Sequence, residues 1–160
     1  MSMYLNRRAV RHALHVDSGA AAVVSPRIWE GCSQALNDAY SCSDTLVSMV
    51  PLYAALSRGG HRVLAYSGDV DGVVPTLATR RWVRSLGPVV EPWRAWVAPD
   101  GNVGGFTERV SVREQGGSDR DSGTGEVVFC TVRNAGHMVP RFEPERAFAM
   151  VQRFIAGQPL

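Results

Sequence analysis

The stretch Arg62-Val63-Leu64-Ala65-Tyr66-Ser67-Gly68-Asp69-Val70-Asp71-Gly72-Val73-Val74-Pro75 decides the fold. Residues 62–67 are a short apolar run set between glycines, the pattern of a strand buried on both faces in a parallel sheet. Gly68 turns the chain into a loop with two carboxylates. Pro75 suits the first turn of a helix running to about residue 86, because its φ is already helical and it has no N–H to leave unpaired. The arrangement occurs a second time. Val127-Val128-Phe129-Cys130-Thr131-Val132 is another apolar run, and the loop after it, Asn134-Ala135-Gly136-His137-Met138-Val139-Pro140, holds a histidine.

Outward from these two runs, elements alternate. Upstream, Asn6 is placed to cap a helix over 7–15 that puts Val10 and Leu14 on one face. A Gly/Ala/Ser-rich stretch to Pro26 reads as loop, and a short helix is expected over 29–37. Asp44 can cap a segment in which Leu46, Val50, Tyr53 and Leu56 recur at helical spacing, with Pro51 splitting or kinking it and Gly59-Gly60 ending it. Downstream, 93–98 and 105–113 have strand character, and Pro99-Asp100-Gly101-Asn102 joins them with hairpin turn chemistry. Residues 115–125 form a Gly/Ser/Asp insert with nothing to bury, expected to be a mobile loop. Glu143-Pro144 opens a last helix to about residue 156, expected to turn Phe148, Val151, Phe154 and Ile155 toward the core. The order implies an α/β fold with a mostly parallel sheet: a helical segment, 1–60, then a sheet region, 61–160, carrying the acid and histidine loops.

Composition excludes several classes of function. With 160 residues, 45% hydrophobic and 20% charged, the chain can form one domain with a real core. Its net charge is +2 and its basic residues, all arginine, are scattered, which argues against a nucleic-acid or anionic-membrane partner. No apolar run reaches the roughly 18–20 residues of a membrane span. The N-terminal residues lack the pattern of a signal peptide. Cys32, Cys42 and Cys130 have no metal-ligand spacing, and their odd number excludes a self-contained disulfide set.

The two loops carry the chemistry. In open α/β sheets, loops at the carboxyl ends of strands aim side chains into a shared crevice. An acid on one such loop and a histidine on a later one follow the acid-then-His order of α/β-hydrolase triads. Asp71, three residues past Gly68 and directly before Gly72-Val73-Val74-Pro75, is favoured as the acid. Asp69 is expected to hydrogen-bond N–H groups of its own turn. The competing reading has both aspartates capping the helix near Pro75. His137 is the candidate base; His12 and His15 belong to the first helix, and His61 beside Gly59-Gly60 is most simply solvent-exposed.

Six strings resemble the serine carboxypeptidase family in the same order. They are Tyr4 to Val10; Tyr66 to Asp71 with Val73-Val74-Pro75; Trp93-Arg94-Ala95-Trp96; Val103-Gly104-Gly105-Phe106-Thr107-Glu108; Thr131 to Pro140; and Pro144 to Phe148 with Phe154 to Pro159. The resemblance implies an α/β-hydrolase fold and a Ser-His-Asp peptidase acting on peptide or protein C-termini, with catalytic Asp71 and His137 and no cofactor or metal. It implies that Met138 lines the pocket for the leaving residue and favours an apolar one; the plainer reading is a methionine filling a core gap. It also implies that Cys32 has a disulfide partner lying upstream.

The family's nucleophile elbow, oxyanion donors and carboxylate-gripping groups lie upstream of the matched region. Ser18, Ser67, Ser118 and Ser122 adjoin glycines, but none follows a strand and opens a helix as an elbow must. The chain is therefore expected to be a processed subunit or a truncation, inactive without its N-terminal part. Alone it should expose an apolar sheet edge and either self-associate, for instance as a homodimer, or fold poorly. Alternatives on the same scaffold are an acyltransferase, a hydroxynitrile lyase and a non-catalytic fragment. The resemblance implies a lysosomal, vacuolar or secreted location for the full-length enzyme.

Overall fold

The structure, a computed structural model, describes residues 2–16, 28–112 and 125–160. Expectations for the loop before Pro26, the insert up to 124, and Ser18, Ser118 and Ser122 lie outside the described residues. The chain divides into two compact units, Met1–Val47 and Ser48–Leu160.

The described residues of the first unit form four short helices, α1 (Ser2–Leu5), α2 (Arg8–Ala13), α3 (Gln34–Ala39) and α4 (Cys42–Thr45). Asn6 does not cap α2. Its side-chain amide donates to the Ser2 and Trp29 carbonyls and its Oδ1 accepts from the Trp29 N–H at 2.7 Å. The short helix expected from residue 29 starts later, at Gln34, where Ser33 accepts from the Leu36 N–H at 3.3 Å. Asp44 likewise lies inside α4, which Ser41 caps.

In the second unit α5 (Val50–Arg58) begins at Pro51's turn, so the proline opens this helix where the sequence suggested a kink. Strand β1 (Val63–Gly68) and helix α6 (Thr76–Arg84) follow, then the hairpin strands β2 (Val89–Val97) and β3 (Val103–Val112), then β4 (Gly125–Val132). Helices α7 (Val139–Phe142) and α8 (Pro144–Ile155) end the chain.

The sheet order is β1-β4-β3-β2. Among the described strands only β1 and β4 are parallel, paired from Val63↔Val127 to Gly68↔Val132; β3 is antiparallel to both β4 and β2. The expectation of a mostly parallel sheet is therefore corrected. The hairpin inserted between the two apolar runs reverses direction at each strand, and only the long return to β1 restores a parallel pair. Val83, Leu86, Val110, Val112, Val127 and Phe129 form the core on one face, with Val50, Tyr53 and Ala54 of α5 packed against it. Trp96, Cys130, Val132, Ala135, Val139, Ala147 and Met150 belong to the core on the other face.

A second correction concerns α8. Ala147, Ala149 and Met150 are its buried residues, whereas Phe148 and Ile155 are each 68% exposed and Val151 is exposed. Ala147 and Met150 join Trp96, Cys130 and Val132 in the core on that face. Gly104 and Gly105 allow close contacts within the sheet. A Cβ on Gly105 would stand 1.8 Å from the Thr131 oxygen and one on Gly104 2.6 Å from the Trp96 ring. This close approach lets the buried Trp96 Nε1–H donate to the Thr131 carbonyl at 2.9 Å.

Candidate active site

Because β1 and β4 are adjacent and parallel, their carboxyl ends emerge side by side. The loops after them interlock: the Asp69 N–H donates to the Val132 carbonyl at 3.1 Å and the Val70 N–H to the Ala135 carbonyl at 3.2 Å. Contact is so close at Gly68 that a Cβ there would lie 2.1 Å from the Ala135 oxygen. Only glycine fits.

Asp71 sits where its carboxylate serves both loops. Oδ1 accepts from the N–H groups of Val73 at 2.7 Å and Val74 at 3.0 Å, and Oδ2 faces Nδ1 of His137 at 3.0 Å. Its side chain is 5% exposed and that of His137 is 51% exposed. Burial pushes the Asp71 carboxyl up, but hydrogen bonds from Val74, His137 and Val73 outweigh it and hold the group below the usual aspartate value. With a carboxylate opposite Nδ1, the ring proton sits on Nδ1 and the Nε2 lone pair is left to accept a proton. The pair can orient an imidazole, take up one proton and stabilise the resulting imidazolium.

Asp69 does not bond its own turn through its side chain as expected. Its Oδ1 accepts from the Asn134 N–H in the histidine loop at 2.7 Å. Asn134 has φ of 64°, a left-handed conformation that asparagine tolerates. Ser67 is buried, its hydroxyl set 3.0 Å from that of Thr76, which donates to the Gly68 carbonyl at 2.6 Å; it braces the acid loop against α6. Met138 follows His137 directly, at the N-cap of α7, and is 49% exposed, so it does not fill a core gap. His61 is exposed. Cys32, Cys42 and Cys130 are all free, and burial pushes the Cys130 thiol up. Among the described residues no cluster of three His, Cys, Asp or Glu could hold a metal, and no helix is long and apolar enough to cross a membrane.

Behind the acid loop, α6 is locked to β3. The Glu108 carboxylate is fully buried and receives two hydrogen bonds from each of Arg80 and Arg84, at 2.8 and 3.0 Å. Burial pushes Glu108 up, and the two guanidiniums more than reverse this. The Arg80 guanidinium also lies 3.9 Å from the centre of the Trp93 ring, which stacks on Phe106 and Phe129. Arg80 and Arg84 are four apart, the one sequence signal that this side of α6 carries paired charge.

A family model described as serine carboxypeptidase matches residues 1–157. The chain is 38% identical over 159 residues to serine carboxypeptidase-like 25 of Arabidopsis thaliana, covering 99% of this chain and 29% of that protein. It is 38% identical over 159 residues to serine carboxypeptidase 24 of Arabidopsis thaliana, covering 98% and 30%. To serine carboxypeptidase 1 of Hordeum vulgare it is 34% identical over 158 residues, covering 98% and 27%. The chain belongs to the serine carboxypeptidase family, and it spans about three-tenths of the length of the curated relatives it matches.

Proposed function

We propose that this chain supplies the acid and the base of a serine-type carboxypeptidase on an α/β-hydrolase scaffold. The observation that carries the reading is the 3.0 Å approach of Asp71 Oδ2 to His137 Nδ1 from loops after two neighbouring parallel strands. The nucleophile is assigned to a serine outside residues 1–160: Ser67 is buried and braced within the acid loop, and the sequence around Ser18, Ser118 and Ser122 lacks the strand-to-helix setting of an elbow. His137 Nε2 takes the proton from that hydroxyl as its oxygen attacks the carbonyl carbon of the last peptide bond. Collapse of the tetrahedral adduct breaks the C–N bond, and the imidazolium returns the proton to the leaving amine. Water then repeats the sequence on the acyl-enzyme, freeing the serine and the shortened peptide. Asp71 keeps the ring in register and offsets its charge at both stages.

Met138, exposed and next to His137, lines the subsite for the departing residue and favours an apolar one. Substrates are peptide or protein C-termini, and the enzyme works in a lysosomal, vacuolar or secreted setting. Without the serine segment the chain is inactive. It self-associates, because the outer edge of β1 pairs with no described strand and Phe148 and Ile155 present apolar surface. Monomeric light scattering at micromolar concentration would contradict that part.

The test joins this chain to the upstream portion of its gene. The product should be labelled by a serine-reactive fluorophosphonate and should release the free C-terminal amino acid from a blocked dipeptide. Labelling without release, with acyl transfer or cyanohydrin cleavage in its place, would put a different chemistry on the same pair. No labelling would contradict a serine mechanism.

A further inference from the structure

We propose that Asp69 is a positioning residue for His137, acting through the backbone of Asn134; the proposal rests on the reading of Asp71 and His137 as an acid–base pair. Beyond the Asp71–His137 contact itself, two of the contacts described between the loops are backbone hydrogen bonds, Asp69 N–H to Val132 and Val70 N–H to Ala135. The third is the Asp69 carboxylate on the Asn134 N–H, and at 2.7 Å it is the shortest. It acts where the histidine loop leaves β4 and Asn134 adopts its left-handed turn, three residues before His137. The carboxylate therefore holds the turn that sets where the imidazole starts from. Asp71 is restrained independently, because Val73 and Val74 of its own loop occupy its Oδ1. Loss of the Asp69 carboxylate thus frees the histidine side of the pair and leaves the acid side in place.

The division of labour between the two aspartates predicts different responses to matched substitutions. In the chain joined to the upstream portion of its gene and labelled with ¹⁵N-histidine, NMR reads the Nδ1–H of His137 and its exchange with solvent. The parent should give a protected Nδ1–H that Asp71→Ala abolishes. Asp69→Ala should raise its exchange rate about tenfold, the ratio that follows from losing one charge-assisted hydrogen bond. Asp69→Asn, which keeps an acceptor oxygen at the same place, should restore protection to within about threefold. A structural role felt only through overall stability would lower the melting temperature in both variants without separating them.

Unchanged exchange in Asp69→Ala, or Asp69→Asn behaving like Asp69→Ala, would overturn the proposal. So would an unfolded Asp69→Ala alongside a folded but unprotected Asp69→Asn. An unprotected Nδ1–H in the parent would instead contradict the acid–base pair on which the proposal rests.

Discussion

Oδ2 of Asp71 stands 3.0 Å from Nδ1 of His137 across 66 residues of chain. Strand direction makes this contact. β1 and β4 run the same way and pair through Gly68↔Val132, so the loops that follow start from neighbouring points and lead out at the same end of the sheet. Everything between them, the α6 helix and the β2–β3 hairpin, is an excursion that returns the chain to the strand beside β1.

The closeness of the loops makes Gly68 a sensitive position. Gly68→Ala places a Cβ 2.1 Å from the Ala135 oxygen, and its nearest neighbours are backbone atoms of Ala135 and Gly136 with no flexible side chain to give way. Urea denaturation should find the variant about 2–3 kcal/mol less stable. A loss below about 0.5 kcal/mol would mean the loops are not packed together as described.

The Glu108 clamp should matter to the acid loop through α6. Its two arginine partners are 23% and 45% exposed, so they can turn to solvent when the carboxylate is removed. The cost is accordingly less than that of breaking a fully buried pair. Glu108→Gln is expected to lower stability by about 2 kcal/mol in chemical denaturation. A neutral outcome would assign the anchoring of α6 to apolar packing alone.

Acid should weaken the site in a defined direction. The Asp71 carboxyl is held below its usual value in the folded chain, so its hydrogen bonds stabilise the fold fully above the unfolded value, about pH 4. That contribution disappears as pH falls through the lower folded value. Melting curves of the parent and of Asp71→Asn should therefore differ by a constant interval above about pH 5 and converge below pH 4. An interval that does not narrow at all as the pH falls through the acid range would exclude the carboxylate as its source.

Much of the site was legible in the sequence because apolar runs and glycine turns are local signals. The runs at 62–67 and 127–132 became β1 and β4, and the separate glycine loops after them placed Asp71 and His137 in contact. Sheet direction was not legible, since an apolar run has the same composition in a parallel and an antiparallel pair. The face of α8 was misread for a similar reason. Phe148, Val151 and Ile155 carry more hydrophobic weight than Ala147 and Ala149, yet the alanines and Met150 are the buried residues of the helix. The bond from Asp69 to Asn134 spans 65 residues and depends on a left-handed backbone, and neither is marked by residue spacing.

The central claim, that Asp71 and His137 are the acid and base of the catalytic machinery, is tested most directly by turnover in the enzyme joined to its upstream segment. Asp71→Asn and His137→Ala should each lower kcat by roughly 10³–10⁶ while the proteins keep a cooperative thermal unfolding transition, and Asp69→Asn should lower it far less. A collapse of turnover in Asp69→Asn with Asp71→Asn nearly unaffected would contradict the assignment.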